Sequence, residues 1–238
     1  MDERDGVPQR EPSFREALEA AARGAGIGQV APGEIPTASS LLKATGGVRG
    51  LFEAILPGVA FIVLHTLTGN LPISVLVPVA IAAVFVVLRL ISGTPLTQAI
   101  AGIAGVAISA AFALFSGRAE DNFLPGIIIN AVSLLVLLVS LAARYPLIGV
   151  VVGLLANEGT DWRRNAAKRR VLTLATLLWC GLFAVRLLAE VPLYLAQEVE
   201  WLGAVKLVLG VPFYAAMLWV TWLMVQAVYR RPAEAPAA

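Results

Sequence analysis

The fold class predicted is an all-α, polytopic membrane protein: about six transmembrane helices and one short half-helix. Three observations predict it. Of the 238 residues, 58% are hydrophobic and only 14% are charged, whereas roughly a quarter of an ordinary soluble domain is charged. The apolar residues form long runs separated by short charged breaks. Basic residues fall almost entirely in the breaks on one side, the pattern of the positive-inside rule.

The polar residues 1–46 read as a cytoplasmic, largely disordered tail. One short helix is expected there, with Ser13 and Glu16 at capping-box spacing, Phe14 and Leu18 on one face, and Gly24 at its end. A Gly/Pro/Ser/Thr-rich linker follows, then a short interfacial helix at about 41–48. The tail has no apolar h-region and carries mixed charges from Asp2 to Glu11, so no secretory signal is expected. Residues 47–231 are the membrane domain, and 232–238 a disordered C-terminal tail.

Within that domain, about 20 apolar residues cross a hydrocarbon core of about 30 Å. That rule sets the spans at 51–67, 71–91, 98–116, 123–143, 171–195 and 202–229. Gly69-Asn70 is a tight turn between the first two. The stretch 146–157 is apolar but too short to cross. It is expected as a half-helix, either re-entrant or interfacial. Were it to span, the basic cluster Arg163 to Arg170 would change sides. Gly149 and Gly153 lie four apart, which lets another helix pack closely.

With the N-terminus inside, the inner side holds Lys43, Arg49, Arg89, Arg144, Arg163, Arg164, Lys168, Arg169, Arg170, Arg230 and Arg231, and the carboxylate Glu53 lies at the same end. The outer side holds Arg118, Glu120, Asp121, Glu198 and Glu200. Both termini are therefore expected in the cytoplasm, with the chain in the cell membrane. Glu53-Ala-Ile-Leu-Pro-Gly58 and Asp121-Asn-Phe-Leu-Pro-Gly126 open the first and fourth spans alike. That echo is the pattern of a three-plus-three inverted repeat, although proline suits the first turn of any helix.

The candidate polar, ion or substrate site comprises Arg186, Glu190, Tyr194, Lys206, His65 and Asp121. Arg186 lies deep in the fifth span, where an arginine costs roughly 2.5–3.5 kcal/mol on insertion scales. Glu190 and Tyr194 follow at four-residue spacing on the same face. Two readings stand: a site facing the bundle interior, or an arginine that snorkels to the outer interface beside Glu190. Lys206 and His65 lie near outer span ends and could close one cavity with them, or could be interfacial residues with wet tips. Asn130 reads as interhelical glue before it reads as a site. The small residues of the third span, from Ala101 to Ala111, read as central packing. Trp162 and Trp201 read as interfacial anchors, Trp162 beside anionic lipid.

Single copies of cysteine and histidine, Cys180 and His65, leave no metal cluster. Gly46-Gly47-Val-Arg-Gly50 lacks the Walker lysine, and HExxH, CxxC and a nucleophile elbow are absent. The net charge of +2 does not point to a nucleic-acid partner. The expectation is no enzyme, no cofactor and no metal. The partners expected are the lipid bilayer and a membrane-protein partner or second copy.

Gly47-Val-Arg-Gly-Leu-Phe-Glu-Ala-Ile-Leu-Pro57, Phe123-Leu-Pro-Gly126, Arg144-Tyr-Pro-Leu-Ile-Gly149, the segment from Thr176-Leu-Leu-Trp179 to Arg186, and Gly210-Val-Pro-Phe-Tyr214 together resemble an actinobacterial membrane family, domain of unknown function 3159. The resemblance runs from about Gly46 to Arg231 and implies a membrane bundle without an assigned activity. The opening Phe52-Glu53 with Leu56-Pro57 is distantly similar to intracellular septation protein A. Two functions follow as expectations: a non-enzymatic envelope or septation-related protein, or a small transporter or channel subunit with a charged site in the outer half. A solvated cavity joining Arg186, Glu190 and His65 would favour the second.

Overall fold

The computed structural model describes residues 47–92, 97–156 and 158–229. The expected tail helix and linker, most of the interfacial helix, Lys43, Arg230 and Arg231 lie outside the described residues. Among the described residues every regular element is a helix: α1 Gly47–Thr68, α2 Leu71–Ile91, α3 Thr97–Ser116, α4 Leu124–Ala142, α5 Leu147–Leu155, α6 Ala166–Leu195, α7 Val199–Val208 and α8 Val211–Tyr229. Two 3₁₀ turns, Ala119–Asn122 and Asp161–Arg164, precede α4 and α6.

Local chemistry sets these boundaries. Gly69 takes a left-handed φ of 60°, and the Asn70 side chain accepts from the Ile73 amide to cap α2. Asn165 accepts from the amides of Ala167 and Lys168. α6 therefore starts five residues before the expected position of 171, in the basic segment rather than after it. Pro125 stands in the first turn of α4, where its missing N–H costs nothing. The expected sixth span, 202–229, is not one helix. α7 ends at Val208 and α8 starts at Val211. Pro212 brings no N–H, and its ring excludes the carbonyl four residues back, that of Val208.

Four stretches are long and apolar enough to cross a membrane: Leu71–Ile91, Leu124–Ala142, Ala166–Leu195 and the interrupted Val199–Tyr229. The apolar parts of α1 and α3, Ile55–Thr68 and Gly102–Ser116, are shorter. Large apolar side chains cover the outside, among them Ile129, Leu135 and Val139 of α4 and Leu218, Trp219 and Leu223 of α8. A monomer in water does not leave so much contiguous apolar surface bare; hydrocarbon accommodates it. This is a helical membrane protein.

α1, α2 and α3 pack in sequence, α4 and α8 flank α6, and α7 lies against both α1 and α6. One core gathers Phe61, Val75, Ala113, Phe123 and Leu202 where α7 and the first 3₁₀ turn meet the α1–α3 group. A second gathers Leu137, Cys180, Leu182 and Phe183 between α4 and α6. α7 approaches α1 at Gly203, where a Cβ would overlap the Ile62 side chain.

The nine-residue α5 extends about 14 Å at the α-helical rise, less than half of the hydrocarbon core. It is the expected half-helix. Its two glycines, however, serve a ring and not a helix. A Cβ on Gly149 would lie 2.7 Å from Trp162 Cη2, and one on Gly153 would lie 2.6 Å from Trp162 Cδ1. Trp162 is 1% exposed, so it is a buried wedge between α5 and α6 and not an interfacial anchor. Trp201, by contrast, is 65% exposed, as a belt residue would be.

Two further expectations are corrected. The small-residue stripe of α3 is not central. Ala110 and Ala113 are buried, but Gly102 and Gly105 face open space. The inverted repeat also lacks structural equivalence. Pro57 lies inside α1, ten residues after its start, and Pro125 begins α4. Glu53 is helical, whereas Asp121 sits in a 3₁₀ turn.

Candidate functional site

The break in the last apolar stretch frees backbone carbonyls that a continuous helix would use. Arg186 takes one of them: Nη1 donates to the Leu209 carbonyl at 2.7 Å. Its Nη2 donates to Glu190 Oε1 at 3.0 Å, one helical turn along α6. The other Glu190 oxygen accepts from Asn130 Nδ2 at 3.0 Å, across from α4. Arg186 is 6% exposed, Glu190 3% and Asn130 3%. The tyrosine ring of α8, Tyr214, lies 5.1 Å from the guanidinium, within cation–π range. Arg186 therefore does not snorkel. It bridges three helices and the break, and one donor of the fork, Nε, is buried without a hydrogen-bond partner.

Arg186 also lines a cavity of about 280 Å³ with Lys206, Phe61, Phe123, Asn122 and Tyr214. Lys206 enters it from α7, and its Nζ lies 4.9 Å from the Phe123 ring centre. Among the described residues no carboxylate or carbonyl pairs with that ammonium. Gly126 faces it: a Cβ there would meet Nζ at 3.8 Å, an ordinary van der Waals contact. Gly58 and Gly210 also line the space, and a Cβ on Gly210 would overlap the Lys206 carbonyl.

Two of the six candidate residues, Arg186 and Lys206, share the cavity, and Glu190 joins them through Arg186. The other three are placed elsewhere. Tyr194 turns away from the stripe and donates to Asp121 Oδ1 at 2.5 Å, with Arg118 over its ring at 6.0 Å. Arg118 also pairs with Glu120 at 2.7 Å. Burial alone would raise the Asp121 carboxyl, but hydrogen bonds from Tyr194 and Ser116 and the charge of Arg118 outweigh it, and the group titrates below its ordinary range. This cluster ties the turn before α4 to the end of α6. His65 does not reach the cavity either. It stacks on Phe61 at 5.9 Å, behind the wall, with Nδ1 buried and unpaired.

At the opposite end, Arg89 Nε meets Glu53 Oε2 at 2.6 Å, and both are about 90% buried. Sequence spacing placed these two at one end but did not pair them. Arg144 is exposed, with a left-handed φ of 58°. Lys168 binds Glu158 at 2.6 Å and lies over the Tyr229 ring at 4.0 Å. Arg163 lies 3.9 Å from the Tyr145 ring centre. Among the described residues no group of His, Cys, Asp and Glu is arranged to hold a metal.

Sequence reasoning missed Leu209, Gly210 and Tyr214 as parts of the site, and ranked Asn130 as glue. A signal for the first two was present: Gly210-Val-Pro212 has the order of a helix stop followed by a restart.

A family model described as protein of unknown function (DUF3159) matches residues 45–232. The chain belongs to the DUF3159 family. The match takes in every element of the DUF3159 bundle described above, including the cavity and the Arg186 network. No curated protein and no solved structure matches it.

Proposed function

We propose that this DUF3159 protein is a non-enzymatic, six-span protein of the cell membrane that acts as a small transporter or channel subunit. In this reading the end carrying Arg144, Arg163, Arg164, Arg169 and Arg170 is cytoplasmic. The observation that carries it is the interruption of the last apolar stretch beside a cavity. Irregular backbone at membrane depth is tolerated where it is buried in protein or lines a water-filled space, and solute sites in transporters form at such breaks. Buried Arg186 and Glu190 add to this, since ionisable groups within spans face pathways or bundle interiors.

A septation scaffold acting through partners needs no such cavity; Arg186 is buried and paired inside the bundle and does not snorkel outward, while His65, expected in the same cavity, does not line it. Water access tests the reading. Leu207 lines the cavity, so Leu207→Cys in a Cys180→Ser background is expected to react with a polar maleimide in lipid nanodiscs. A thiol that stays inert, while an exposed control such as Ala166→Cys reacts, counts against a solute path.

A further inference from the structure

We infer that the cavity is a binding site for a small monoanion bearing a short apolar group. The inference deepens the transport reading and rests on it for the ligand's route in. Its basis is a mismatch between supply and use of charge. Arg186 and Lys206 present two cations to this region, and Glu190 supplies one carboxylate. Glu190 is already held by Arg186 and Asn130. Counted at their ordinary charges, the three groups leave one net positive charge, and Lys206 is the cation of the cavity wall that no carboxylate hydrogen-bonds among the described residues.

The alternative is a structural clasp in which Arg186 only closes the helix break. A clasp accounts for Nη1 on Leu209 and Nη2 on Glu190. It leaves Arg186 Nε buried and unpaired, and gives no reason for a lysine in α7 that lines the same space with no carboxylate in hydrogen-bond contact among the described residues, its nearest charge partner, Glu190, being already held by Arg186. An uncompensated charge inside a membrane is costly, and an anionic ligand removes that cost. α8 begins at Val211 on the wall of the cavity, so its dipole adds positive potential on the same side.

The rest of the wall sets the ligand's shape. Phe61, Ile62, Phe123, Leu207 and Val211 are apolar, and a volume of about 280 Å³ is at the small end for ligand pockets. A charged head with a short hydrocarbon attachment fits this lining; a free sugar or a multivalent anion does not. The shared chemistry, a singly charged oxyanion on an apolar stem, could come from a free solute or from an anionic lipid headgroup.

The probes are butanesulfonate, which keeps its charge at any working pH, and butyltrimethylammonium as the cation of similar size. In phosphatidylcholine nanodiscs, butanesulfonate is expected to slow maleimide labelling of Leu207→Cys and to raise the melting temperature of the unsubstituted protein. The cation at equal ionic strength should do neither. Lys206→Gln is expected to abolish both effects, and Lys206→Arg to retain them. Slow labelling in phosphatidylglycerol nanodiscs without added solute, insensitive to butanesulfonate, assigns the site to the lipid headgroup. Equal effects of the two probes, no effect of either, or effects that survive Lys206→Gln overturn the inference. A thiol that is inert throughout, with the butanesulfonate melting shift intact and dependent on Lys206, sinks the transport reading and leaves the anion site standing.

Discussion

Arg186 and Glu190 are a buried pair whose value depends on both members being present. Removing one partner leaves the other charged and out of water, which costs roughly 3–5 kcal/mol, whereas removing both can be far milder. Glu190→Ala, which leaves Arg186 and Lys206 facing each other without a carboxylate, is therefore expected to lower the melting temperature in mild detergent more than Arg186→Ala with Glu190→Ala. Strict additivity of the two single changes would mean that the charges act independently. Asp121 and Tyr194 make a second test at this scale. Tyr194→Phe removes a hydrogen bond to a carboxylate, worth about 1.5–3 kcal/mol and expected near the lower figure because the tyrosine is only half-buried. The Asp121 carboxyl titrates below its ordinary range. Its contribution is thus complete above the unfolded pKa and is lost as pH falls through the lowered folded value. The stability difference between wild type and Tyr194→Phe should shrink under acid, below the ordinary carboxylate range. A difference that grows there would contradict the assignment. The pairing of Arg186 with Glu190 was legible from their spacing. The diversion of Tyr194 to Asp121 was not, because the partner lies 73 residues away.

At the scale of elements, the half-helix and the broken last span are where sequence and structure diverge most. The shortness of α5 and its glycine pair were both readable. What those glycines receive was not, because Trp162 beside Arg163 and Arg164 has the composition of an interfacial anchor. A Cβ at Gly153 would overlap the Gly159 carbonyl oxygen and crowd Trp162. Gly153→Ala is accordingly expected to destabilise the fold by about 1–3 kcal/mol, the usual cost of overpacking. Trp162→Ala, which opens a void, should cost roughly 3–5 kcal/mol. Thermal unfolding in detergent checks both, and an unchanged melting temperature for Gly153→Ala would show that α5 does not pack on the indole. The break at Leu209–Gly210 was hidden for a different reason. From Val199 to Tyr229 the only charged residues are Glu200 and Lys206, so a length rule merges two helices. Only the Gly210-Val-Pro212 order marks the interruption, and it is also compatible with a kink.

For the molecule as a whole, composition and the spacing of charged breaks were enough to give an all-helical membrane bundle and most helix limits to within a few residues. The cavity was only half legible. Arg186 and Lys206 were identifiable because charge is conspicuous in apolar runs, but the same argument drew in His65, which stacks behind Phe61 instead. Hydropathy gives the depth of a residue and not the direction in which it faces. Orientation is the first prediction at this scale: Ala166→Cys, at the exposed start of α6 in the basic end, should resist an impermeant thiol reagent in intact cells and react after permeabilisation. Reaction in intact cells would reverse the assignment of the two ends. The central claim is that the broken span, through Lys206 and with Arg186 of α6 beside it, handles a small anion, and flux tests it most directly. Vesicles containing the purified protein are expected to take up labelled butanesulfonate, which does not leak through lipid as an uncharged acid, faster than empty vesicles, and Lys206→Gln should return uptake to the empty-vesicle rate. Uptake by folded wild-type protein indistinguishable from that of empty vesicles, or unaffected by Lys206→Gln, would contradict it.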